Sequence, residues 1–157
     1  MQRCGIMLFC GILSTCLGCG GGATDYPDMG TVSGTVTLGG SPVSGASIAF
    51  QPSEVGARAS SAVTDANGYY SLRYSANMDG AKVGEHTVRI STYQEEGPGE
   101  GGDIVPAVPE TIPNQYNSKS TLKQTVEQGS NTFDFALDAE GEIDKHEGDS
   151  YEDGDDE

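Results

Sequence analysis

The side chains able to carry out chemistry are few. Histidine occurs twice, at His86 and His146, and cysteine four times, at Cys4, Cys10, Cys16 and Cys19. General acid–base catalysis needs an imidazole held against a matched partner. His86 sits in an alternating strand-like run, and its neighbours nominate no carboxylate or hydroxyl for that role. A packed or solvated strand histidine is the expectation, and an extracytoplasmic hydrolase using His86 is the alternative. His146 lies among acids near the C-terminus. No histidine–cysteine set has the spacing of a zinc site, and no nucleophile-elbow sequence is present. Asp65-Ala66-Asn67-Gly68 offers two oxygen-bearing side chains, expected to brace a turn rather than bind calcium. The sequence therefore nominates no catalytic, metal or cofactor residue, and the chain is expected not to be an enzyme.

The cysteines suggest a different chemistry. Met1 to Arg3 gives a short positive start, and Gly5 to Leu17 is a mostly apolar run of about 13 residues, short for a membrane span and suited to an export signal. It ends in Leu17-Gly18-Cys19-Gly20. This resembles the lipobox of bacterial lipoproteins, in which a peptidase cuts before a cysteine that becomes lipidated. Cys19 is the expected lipidation site. Cys16 occupies a place where leucine is usual, and it is itself the competing site, although Thr15 before it is bulky. The resemblance implies three acyl chains on Cys19, enough for permanent anchoring. Gly20 is not the aspartate associated with inner-membrane retention, so the outer membrane is favoured if the envelope has two. All four cysteines precede residue 20, so the body is expected to fold without disulfide or thiolate metal site.

The chain of 157 residues carries 24 acids against 8 basic residues, a formal charge of −16. That balance argues against nucleic acid as a partner, because binding to phosphates rests on Lys and Arg. From Asp138 to Glu157 there are eleven acids and a single lysine, Lys145. Such a segment cannot offset the entropy of ordering. Residues 139–157 are expected to form a disordered acidic tail, with diffuse cation binding by that tail as a further alternative function. At the other end, residues 1–18 read as signal peptide and 19–30 as lipidated cysteine plus tether. Gly20 to Gly30 would span on the order of 18 Å. Residues 94–110 form a long Gly- and Pro-rich connection, expected to be disordered or to bind a partner.

Between tether and tail, residues 31–138 alternate at strand period. Val32, Gly34, Val36 and Leu38 share one face. Ala46, Ile48 and Phe50 repeat at every second place. Ser60 to Thr64 leads through the Asn67-Gly68 hairpin signal to Tyr70, Leu72 and Tyr74. His86, Val88 and Ile90 alternate after Gly84, and Leu122 to Glu127 precedes Thr132 to Leu137, where Phe133, Phe135 and Leu137 share a face. The expected core is Val32, Val36, Leu38, Ile48, Phe50, Val63, Tyr70, Leu72, Val88, Ile90, Leu122, Val126, Phe133, Phe135 and Leu137. About seven short strands without a convincing helix predict an all-β, antiparallel sandwich.

Val32-Ser33-Gly34-Thr35-Val36-Thr37, Gly40-Ser41-Pro42-Val43-Ser44-Gly45-Ala46 and Thr64-Asp65-Ala66-Asn67-Gly68-Tyr69-Tyr70 together resemble the carboxypeptidase regulatory-like domain. The resemblance implies a seven-stranded, transthyretin-like (prealbumin-like) β-sandwich of accessory or binding character, without catalysis. Ile112 to Leu122 is similar to a segment of short bacterial lipoproteins built on that domain. Hydroxyisourate hydrolases share the fold, but their histidine cluster and terminal Tyr-Arg-Gly-Ser are missing here. The expected function is that of an exported, lipid-anchored, non-catalytic module of the cell envelope. It would be held to the membrane through Cys19 and would meet an envelope protein or polysaccharide.

Overall fold

The computed structural model describes residues 27–99 and 101–145. Cys19 and the rest of the lipidation signal, His146 and the last residues of the acidic segment lie outside the described residues. The described chain is all-β and mostly antiparallel. Its strands are β1 (Met29–Leu38), β2 (Ser41–Pro42), β3 (Ser47–Pro52), β4 (Ser60–Val63), β5 (Tyr69–Ser71), β6 (Arg73–Ser75), β7 (Met78–Asp79), β8 (Ala81–Lys82), β9 (Gly84–Ser91), β10 (Gly97–Pro98), β11 (Ile104–Val105), β12 (Lys123–Val126), β13 (Gly129–Thr132) and β14 (Phe135–Leu137). A single 3-10 turn spans Asn114–Tyr116.

All seven expected runs form strands, but two of them break, and both breaks have a physical cause. The run through Tyr70 and Tyr74 splits at Leu72, where the chain passes from one sheet to the other. β5 pairs with β1, whereas β6 pairs with β4. Leu72 is buried at this crossing, and its N–H donates to the Val32 carbonyl while its own carbonyl accepts from Gly80. The C-terminal run splits at Phe133 and Asp134. There the Asp134 carboxylate takes over the ladder, accepting from the Thr35 N–H at 2.8 Å and the Thr35 hydroxyl at 2.9 Å.

β1 is the centre of the first sheet. β8, β5 and β2 lie antiparallel along one side of it; β13 and β14 lie along the other. Those last two pairings are parallel, with Gly30 opposite Gly129 and Val36 opposite Phe135. A wholly antiparallel arrangement is thereby corrected. The second sheet runs β12-β9-β3-β4-β6-β7 and is antiparallel throughout. Gly34 permits the parallel contact, because a Cβ there would stand 1.9 Å from the Phe133 carbonyl oxygen.

The core lies between the sheets. Phe50 of the second sheet stacks on Phe133 and meets Phe135 edge-on, and Tyr70 stacks on Phe135. Tyr70 reaches across to donate its hydroxyl to the Phe133 carbonyl at 2.7 Å. Burial and the nearby Asp134 carboxylate push its phenol well above the ordinary range, so it remains a donor. Val32, Val36, Ile48, Leu72, Val88, Ile90, Val126 and Leu137 are buried as expected, while Leu38, Leu122 and Phe133 are partly buried. Val63 is not in the core: it is 64% exposed. Ile48 opposes Ala62 and Phe50 opposes Ser60, so the inward phase of β4 falls on Ser60 and Ala62. Ile112, in the irregular segment after the long connection, is fully buried.

The two ends of the molecule differ. At one end lie Asp28, bonded to Val83, and the start of β9 at Gly84, opposite Val126. At the other lie Leu38 beside Leu137, and Gly45, whose carbonyl accepts from the Gln94 side chain.

Candidate functional site

His86 is 1% exposed, on the inner face of β9, with its ring 5.9 Å from that of Phe50. Its Nδ1 donates to the Gly84 carbonyl at 2.9 Å, and its buried Nε2 has no hydrogen-bond partner. Burial holds its pKa below the ordinary value, against the Gly84 bond, which raises it; Lys82 lowers it further. These effects together favour the neutral imidazole. Among the described residues no carboxylate or hydroxyl bonds to either ring nitrogen. Among the described residues no group of three or more His, Cys, Asp or Glu could hold a metal ion.

Asp65 does what its turn role requires. One carboxylate oxygen accepts from Asn67 N–H at 2.8 Å and Tyr69 N–H at 3.0 Å. Asn67 contributes its backbone to that turn. Gly68 takes the positive φ of +74°, and the Val36 carbonyl crowds it at 2.4 Å from where a Cβ would stand.

The long connection after β9 has a structure of its own, which replaces the expectation of disorder over its described residues. Gln94 and Val108 exchange backbone hydrogen bonds of 3.0 and 2.9 Å, and β10 pairs with β11 beyond them. An isolated two-stranded hairpin is marginal in water, so its base must be held. Glu110, 6% exposed, does this. Its carboxylate accepts from Thr92 N–H (3.0 Å), Thr92 Oγ1 (2.9 Å), Thr111 N–H (3.0 Å) and Ile112 N–H (2.9 Å), and from the Ser91 hydroxyl at 2.5 Å. Burial raises the Glu110 pKa, but the bonds from Ser91, Thr92 and Ile112 outweigh it and set the pKa below the ordinary value. The sequence gives no signal for this residue; it is one more glutamate in a proline-rich stretch until the fold brings its donors together. Strand β11 of the hairpin carries exposed apolar side chains, Ile104 at 71% and Val105 at 48%.

At the opposite end, a cleft of about 470 Å³ is lined by Pro27, Glu54, Arg58, Tyr74 and Lys82, among others. A second cleft of about 270 Å³ adjoins it and shares Arg58 and Tyr74, with Arg73, Ser61 and Ser75 beyond. The Arg58 guanidinium lies over the Tyr74 ring, 5.8 Å from its centroid.

Residues 139–145 lie against the body. Asn114 N–H donates to the Glu142 carbonyl at 2.7 Å. The Asn114 side-chain amide donates to Glu142 and Asp144, both at 3.1 Å, and Lys119 pairs with Glu142 at 3.0 Å. Contacts of the domain thus continue past the expected boundary at Asp138, and the early part of the acidic segment is not a free tail.

No family model matches the chain, and no curated protein does. Among solved structures, a 9R-lipoxygenase from Cyanothece PCC8801 is similar at 15% identity with a TM-score of 0.42, over 71% of this chain and 16% of that one.

Proposed function

We propose that the chain is a membrane-tethered, extracytoplasmic binding module, anchored through lipid on Cys19 and without catalytic activity of its own. The observation that supports it best is the polarity of the molecule. The chain comes in from its N-terminus at the end formed by Asp28 and Val83, while the hairpin stands at the end formed by Gly45 and Gln94. An anchor ahead of Pro27 would hold the first end toward a membrane and present Ile104 and Val105 away from it. Among the described residues no hydroxyl or carboxylate bonds to His86, which favours this reading over a hydrolase. The two facing sheets, the Asp65 turn and the close approach at Gly34 agree with a carboxypeptidase regulatory-like, transthyretin-like sandwich. The partner is an envelope component met by the hairpin.

Two experiments test this reading. Cys19→Ser is expected to abolish labelling by a fatty-acid probe, with Cys16→Ser labelled normally; retained labelling in Cys19→Ser would sink the anchor. Capture of envelope components by the full chain is expected to be lost in Ile104→Asp/Val105→Asp. Unchanged capture would exclude the hairpin as the contact.

A further inference from the structure

We propose that the two adjoining clefts along Tyr74 bind the phosphate of a membrane lipid headgroup. The inference rests on the anchored reading above and adds a ligand to it. Three cationic side chains border the clefts: Lys82, Arg58 and Arg73. The chain as a whole carries −16, so this local excess is unlike the rest of the sequence. Lys82 is paired with Glu54, and Arg73 lies 3.3 Å from Asp79. Among the described residues Arg58 makes no ion pair, and its guanidinium lies over the face of Tyr74. A guanidinium braced on a ring, with its N–H edge unspent, is suited to a bidentate bond with a phosphate. The Ser61 and Ser75 side chains add hydroxyl groups at the second cleft.

Position identifies the source of that phosphate. Pro27, the first described residue on the path from the proposed anchor, is itself part of the cleft wall. A short tether keeps the cleft at headgroup depth, where an effective concentration of order millimolar makes a weak site occupied. The acidic remainder of the molecule selects against a long polyanion, whose further charges would meet it, and for a single phosphate group. Occupation would fix the rotation of the domain about its tether and so aim the hairpin outward.

The test uses the full chain purified in dodecyl maltoside micelles, whose headgroups carry no phosphate. Phosphatidylglycerol is titrated in one arm and inorganic phosphate in the other, with the NMR resonances of Arg58 Nε–H and the Tyr74 ring as readout. Phosphatidylglycerol is expected to shift both, and Arg58→Gln, in which the Tyr74 ring is the readout, to weaken the Tyr74 response about tenfold. Arg58→Lys is expected to fall between the two. A response to inorganic phosphate without one to phosphatidylglycerol overturns the headgroup as ligand. An unshifted Arg58 in both arms, or an undiminished response in Arg58→Gln, overturns the site. Failure of Cys19 labelling alongside an Arg58 that responds to phosphatidylglycerol sinks the anchor alone.

Discussion

Glu110 is the side chain whose loss should be felt furthest from itself, since five donors from Ser91 to Ile112 converge on it. Glu110→Ala is expected to cost about 1.5–3 kcal/mol, the range for hydrogen bonds to a charged group, read as a lowered urea midpoint. Its pKa is depressed on folding. The stability it supplies is therefore present above the unfolded value of about 4.3 and lost as pH falls through the lower folded value. Urea melts between pH 2 and pH 7 should show that acid slope in the wild type and a shallower one in the variant. His86 acts higher on the scale. Its folded pKa is also lowered, so its contribution is complete above about pH 6.5 and declines as pH falls toward the folded value. His86→Phe keeps the ring against Phe50 and has no nitrogen to protonate. Thermal melts from pH 4 to pH 8 should lose that part of the pH dependence; an unchanged profile would show that the imidazole is hydrated. At this scale the sequence was partly legible. Asp65 and Gly34 announce themselves through turn and strand context. Glu110 does not, because three of its five donors come from Ser91 and Thr92, 19 and 18 residues away in sequence. Val63 misled because the Ser-Ser-Ala-Val of β4 leaves its inward phase to be set by β3.

The strands themselves were legible from alternation, since burying one face of a sheet imposes period two. Their partners were not. Nothing in the run from Thr132 to Leu137 says that it lies parallel to β1, because parallel and antiparallel neighbours ask the same residues to face inward. What records the contact is Gly34. Gly34→Ala would drive a methyl group into the Phe133 carbonyl and is expected to cost at least about 3 kcal/mol, the upper range of overpacking in a filled interior. A urea midpoint close to wild type would show that β13 and β14 can move aside. Phe135→Ala, at the centre of the aromatic cluster, is expected to cost about 3–5 kcal/mol. The hairpin behaves differently from these elements. Its strands contribute little to the core, so Ile104→Asp/Val105→Asp should leave the melting temperature nearly unchanged while capture is lost.

For the whole molecule, the acidic C-terminal composition was legible and its docking was not. Charge density argues for solvation, yet Asn114, Ser118 and Lys119 receive Glu142 and Asp144. Lys119 and the Asn114 amide hold the Glu142 carboxyl below its ordinary range. A chain ending at residue 138 should melt at a lower temperature than one ending at 145, and the gap should narrow in high salt. Equal melting temperatures would show that this segment adds nothing to the fold.

The place of β1 also governs the order of assembly. Among the described residues the central strand of the first sheet is the earliest in sequence, and the side chain that completes its ladder, Asp134, lies 99 residues beyond Thr35. As a chain emerges N-terminus first, β1 acquires β5 and β8 while its other edge stays open until residues 129–137 arrive. Closing so long a loop delays the final pairing and makes folding slow for a domain of this size. Through that interval the nascent chain shows an unpaired strand edge, with Val32 and Val36 beside it, to whatever surrounds it. A chaperone that shields this edge would be needed most just before residue 129 appears, and would be displaced by β13 and β14.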